Sequence, residues 1–72
     1  MLSGHEILKA LQKEGFNAVG RKGSHIRMKK KLPEGTRIVT VPVKKEIKPT
    51  TLMSIIKQSG YTKDEFLKLF RK

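Results

Sequence analysis

Seventy-two residues with 17 Lys and Arg against 6 Asp and Glu leave a net charge of +11 at pH 7. A chain this short buries only about 60% of the surface that its unfolded form exposes, which excludes large cofactor-binding folds and leaves room for one domain, residues 1–72, with a shallow or shared pocket. With no cysteine and only two histidines, neither set in a carboxylate cluster, disulfides and thiolate metal sites are excluded and no metal or cofactor is expected.

In chain order, Ser3 followed by Glu6 is a capping-box signature, and Ile7, Leu8 and Leu11 then fall on one face at helical spacing until Gly15, which predicts a first helix over about residues 4–14. From Phe16 the period changes. Residues 16–21 read as a short strand, Lys22-Gly23-Ser24 as a turn, and His25 to Lys29 as the return arm of a hairpin. Strict alternation in that arm puts Ile26 and Met28 on one face and His25, Arg27 and Lys29 on the other. Pro33-Glu34-Gly35 is a second turn, and Arg37 to Val41 a β-branched third strand that Pro42 ends.

After a charged connector, Val43 to Lys48, Pro49 opens a second helix whose apolar stripe is Leu52, Ile55 and Ile56 and whose stop is Gly60. Thr62 and Glu65 repeat the capping box ahead of a short final helix with Phe66, Leu67 and Phe70 as its buried face. The expected class is α+β, in the order αβββα plus a C-terminal helix, with one sheet face covered by helices and the other open.

The charge is not spread evenly. Residues 1–20 sum to zero, residues 21–48 carry ten basic side chains against Glu34 and Glu46 for +8, and the remaining +3 follows. Self-repulsion on that scale points to a polyanionic partner, most simply nucleic acid, with an acidic membrane surface as rival and a merely solvated surface as the bland reading. No apolar run approaches the roughly 18 residues of a membrane span. The first residues, Met1 to Glu6, lack the basic leader and apolar stretch of an export signal, so a cytoplasmic protein is expected.

His25 is the residue in this basic segment that can do chemistry, because it follows the Gly23-Ser24 turn and alternates onto the face of Arg27 and Lys29. Imidazole titrates near neutrality and can take a proton. Beside a bound RNA backbone it could deprotonate a ribose 2′-hydroxyl, which then attacks the adjacent phosphorus and expels the 5′-oxygen, while nearby Lys and Arg neutralise the phosphate. The residue types leave a second reading open, in which His25 covers a strand edge or binds phosphate passively. His5 at the start of the first helix reads as a capping or exposed polar residue and receives no role, and Tyr61 reads as a turn residue.

The combination of Gly15-Phe16, Arg21-Lys22-Gly23-Ser24-His25, Val39-Thr40-Val41-Pro42, Thr51-Leu52 and Ile55-Ile56-Lys57-Gln58-Ser59-Gly60 resembles the HicA, or YcfA-like, toxin family of toxin–antitoxin systems. The resemblance implies a fold like the double-stranded-RNA-binding domain and an mRNA interferase, an endoribonuclease with His25 at the family's histidine position. It also implies a HicB-type antitoxin as protein partner and mRNA as substrate; the chain itself is expected to be a monomer or weak homodimer. The expected RNA-contacting residues are Lys22, Gly23, Ser24, Arg27, Lys29, Lys30, Lys44 and Lys45. One departure stands out: many relatives have a histidine just after the Val-Pro strand end, where this chain has Val43 and Lys44. Lys44, Lys45 or water would then have to protonate the leaving oxygen. The alternatives are a non-catalytic RNA-binding module of double-stranded-RNA-binding type, and a partner protein whose basic face serves only protein association.

Overall fold

The computed structural model describes residues 2–70. Six elements follow in the order α1 (Gly4–Lys13), β1 (Asn17–Lys22), β2 (His25–Leu32), β3 (Gly35–Pro42), α2 (Pro49–Ser59) and α3 (Lys63–Lys68). The strands form one antiparallel sheet in sequence order. This is the α+β class and αβββα order expected, consistent with a fold like the double-stranded-RNA-binding domain.

Local chemistry fixes the helix ends. The Ser3 side chain accepts from the Glu6 amide while the Glu6 carboxylate accepts from the Ser3 amide, and Thr62 and Glu65 repeat the arrangement at α3. Those bonds, led by the one from the Thr62 amide, hold the Glu65 carboxyl below its ordinary value. Gly60 closes α2 in the left-handed conformation (φ 81°), which L side chains rarely adopt, and the Arg37 guanidinium packs against it.

The core lies between the helices and one sheet face. Ile7 and Leu11 of α1, Ile55 and Ile56 of α2 and Phe66 of α3 close over Met28, Val39 and Val41 of the sheet, with Phe16 beneath the start of β1. Each such side chain contributes roughly 1.5–3 kcal/mol by leaving water. Two details differ from the sequence reading. Leu67 is 42% exposed, because a helix as short as α3 buries only the stripe headed by Phe66; Phe70 packs against the core as expected, and Leu69 does so in place of Leu67. Ile47, isolated among charges in the connector, is 4% exposed and belongs to the core; its amide donates to the Leu2 carbonyl at 2.9 Å.

The sheet has two different edges. At β3 the outward Thr40 amide donates to Gln58 Oε1 of α2 at 2.9 Å, so the helix caps that edge. At β1 all six residues are exposed, and a bulge between Ala18 and Gly20 breaks the register with β2.

Candidate active site

The Gly23-Ser24 turn places His25 at the first position of β2. Gly23 takes φ 60°, a conformation glycine adopts without strain, and Arg21 Nε donates to the Gly23 carbonyl at 3.0 Å, bracing the turn from β1. On the far side the Val43 amide donates to the Ser24 carbonyl at 2.6 Å, so the turn is tied to the end of β3 as well. His25 is exposed and lies in register between Lys22 of β1 and Pro42 of β3. Directly opposed residues in a sheet share a face, with Cβ atoms about 5 Å apart. Lys22 is therefore the cation nearest His25 across the ladder, and Arg27 follows on the same face about 6.6 Å along β2.

β2 runs on to Leu32, beyond the Lys29 expected, so the Lys29-Lys30-Lys31 run is strand and its members part company. Lys29 and Lys31 alternate onto the open face with His25 and Arg27. Lys30 turns to the helix side, where its Nζ stands 5.7 Å from the centroid of the Phe16 ring. The structure therefore brings Lys22, Arg27 and Lys29 onto one face with His25 and sends Lys30 to the other. Lys44 and Lys45 are exposed in the connector that leaves β3 beside His25, and Gly23 and Ser24 form the turn itself.

One further group joins this corner. The Gly4 amide donates to the Lys44 carbonyl at 2.8 Å, and Gly4 sits against the Pro42 carbonyl. The first turn of α1, with His5 exposed on it, is thus anchored to the strand end that pairs with His25. Residue types gave His5 no role; the glycine before it, buried in a helix where alanine would be favoured, was the signal of close approach. Tyr61, read as uninformative, is partly buried and donates from its hydroxyl to Glu14 Oε1 at 3.4 Å. Burial first, and then the Glu14 carboxylate, push its phenol above the usual 10.0.

Among the described residues no three His, Asp or Glu side chains gather into a group that could hold a metal ion. The corner instead offers a solvent-facing imidazole, a neighbouring ammonium and a guanidinium, on backbone tied from both sides. A family model described as the HicA toxin of bacterial toxin–antitoxin systems matches residues 4–61. The chain belongs to the HicA toxin family. That match spans α1 through Tyr61 and leaves α3 outside it, although Phe66 of α3 completes the HicA core. No curated protein matches the chain. Membership makes this HicA chain the toxin of a toxin–antitoxin pair, and none of its described helices is long and apolar enough to cross a membrane.

Proposed function

We propose that the chain is an endoribonuclease toxin that cleaves mRNA in the cytoplasm, with His25 as general base, and that a HicB-type antitoxin silences it. The observation that carries the reading is His25 itself: an exposed imidazole at the head of β2, opposite Lys22 and followed on its face by Arg27, in a chain of the HicA family. Neutral His25 accepts the proton of a ribose 2′-hydroxyl as that oxygen attacks the adjacent phosphorus. The bond from phosphorus to the 5′-oxygen breaks, leaving a 2′,3′-cyclic phosphate on one fragment and a 5′-hydroxyl on the other. Lys22 and Arg27 face the charge that grows on the phosphoryl oxygens. The leaving oxygen takes its proton from Lys44, Lys45 or water.

A positioned base contributes about 10²–10⁴-fold to rate. Replacing His25 with Ala is expected to remove cleavage and growth arrest on that scale while RNA affinity stays within about twofold, because no phosphate charge is lost. A His25→Ala chain as toxic as the parent would show the base to be elsewhere. A parent chain that binds RNA and never cleaves it would leave a passive RNA-binding module. The antitoxin, on this reading, sets acidic side chains against Lys22, Arg27 and Lys29 and covers the His25 ring. A complex in which that ring stays open to solvent would contradict it.

A further inference from the structure

The exposed β1 edge of the sheet holds a groove that the chemistry at His25 does not use. It lies where β1 begins and is lined by Gly15, Asn17, Val19, Lys29, Lys30 and Lys31. Asn17 is paired with Lys29 across β1 and β2, so both side chains leave the same face, which is also the face of Arg27 and His25. From His25 to Lys29 is four residues of strand, about 13 Å. Gly15 and the stem of Lys30, which run beside one another, close the helix side.

Val19 is the residue that the β1 bulge leaves without a partner on β2, and it is 53% exposed, the most exposed of the large apolar side chains described. On the other side of Lys29, paired with it across β2 and β3, Ile38 is 42% exposed. Val19 and Ile38 thus flank Lys29 on the sheet, and of the two Val19 lines the groove, beside a neutral Asn17 amide that can both donate and accept. The lining contains no carboxylate.

Resting on the ribonuclease reading above, we infer that this groove is a nucleotide subsite for unpaired RNA. It takes one base against Val19 with its edge on the Asn17 amide, and the flanking phosphates on Lys29 and Lys31. A strand bound at His25 and laid along β2 reaches it a short, fixed number of nucleotides from the scissile bond. Duplex RNA does not fit this role: in the A-form the base faces are stacked and the major-groove edges are out of side-chain reach, so contact with a single base face needs an unstacked base. The site lies to one side of the scissile phosphate, so the footprint is asymmetric.

The test uses the full chain carrying His25→Ala, so that binding is read without cleavage. The probes are a fluorescent unpaired RNA oligonucleotide, the same oligonucleotide annealed to its complement, and a series in which each nucleotide in turn is made abasic. Asn17→Ala with Val19→Ser is expected to weaken the unpaired oligonucleotide roughly tenfold, the scale of losing one apolar contact with its polar anchor. The duplex should be unaffected, as should the slope of log Kd against log salt. Lys29→Ala and Lys31→Ala should each lower that slope by about 0.7. In the abasic series one position should carry a penalty in the chain with the intact groove, and that penalty should vanish with Asn17→Ala and Val19→Ser.

Equal loss for paired and unpaired RNA, or an abasic penalty that survives the substitutions, overturns the subsite. So does a polyglutamate peptide that displaces the oligonucleotide and itself depends on Asn17 and Val19, since the groove would then be a protein-docking surface. Both groove positions are exposed, and circular dichroism checks that the variants fold. The outcomes separate the two readings. Cleavage by the chain with His25 intact, together with groove substitutions that change nothing, removes the subsite and keeps the nuclease. An abasic penalty that depends on the groove, in a chain that never cleaves, keeps the subsite and removes the nuclease.

Discussion

Gly4 is the position where sequence-level and structural expectations differ in sign. It opens α1, and glycine in a helix costs up to about 1 kcal/mol relative to alanine, so propensity alone makes Gly4→Ala stabilising. The fold reverses this. A methyl at Gly4 would overlap the Pro42 carbonyl oxygen and stand 3.1 Å from both the Lys44 amide nitrogen and the Val43 Cα. All three are backbone atoms, which cannot swing aside as a side-chain tip can. Relief requires α1 to lift from the end of β3, which also breaks the 2.8 Å bond from the Gly4 amide to the Lys44 carbonyl. Overpacking of this kind costs about 1–3 kcal/mol and the hydrogen bond about 1 kcal/mol more, so after the propensity gain a net loss of roughly 1–3 kcal/mol remains. With a urea slope of about 1 kcal/mol/M for so small a domain, the unfolding midpoint should fall by roughly 1–3 M. Gly20→Ala supplies the control, because nothing lies within 4 Å of a methyl there, and its midpoint should barely move. Both are best measured in the His25→Ala background, which spares the host. A Gly4→Ala chain as stable as its parent would refute the close approach of α1 to Pro42–Lys44, and with it the rigid corner beside His25.

Other perturbations follow from the same contacts. Gln58→Ala removes the acceptor of the Thr40 amide and should cost about 0.5–1.5 kcal/mol, with faster hydrogen exchange at Thr40 and little change elsewhere on β3. Phe66→Ala empties a fully buried site and should cost about 3–5 kcal/mol by urea unfolding, which would make α3 part of the fold although it lies beyond the family match. Tyr61 is the one tyrosine in the chain, so ultraviolet titration reads it alone, and its phenol should ionise above 10.0. Glu14→Gln should bring it part of the way back, with burial first and the Glu65 carboxylate after it keeping the rest. Because the folded value is the raised one, this contribution to stability is complete below pH 10 and is lost as pH rises through the folded value.

Much of the fold was legible because it rests on signals a sequence carries locally. Ser3 with Glu6 and Thr62 with Glu65 announce helix starts, Gly60 a helix end, and the alternation from His25 to Lys29 a strand with one wet face. What escaped depends on partners distant in sequence. Nothing near Lys30 says that it will stack on Phe16 while Lys29 faces solvent; that follows from β2 continuing through a run of like charges which local rules read as surface. Ile47 is core because the connector folds back to bond Leu2, and Gly4 is glycine because β3 ends against it. At the candidate site, His25 and its cations were visible from alternation, since period two needs no tertiary information. The Asn17–Val19 groove was not, because a bulge breaks the very pattern that alternation relies on.

The chemistry at His25 is tested most directly by the ends of the RNA it leaves. Purified protein incubated with unpaired RNA should yield 3′ ends closed as 2′,3′-cyclic phosphates and matching 5′-hydroxyls, and the His25→Ala chain should yield neither. Fragments ending in a 3′-hydroxyl with a 5′-phosphate, or cyclic ends made equally well without His25, would contradict the assignment of that imidazole as the base.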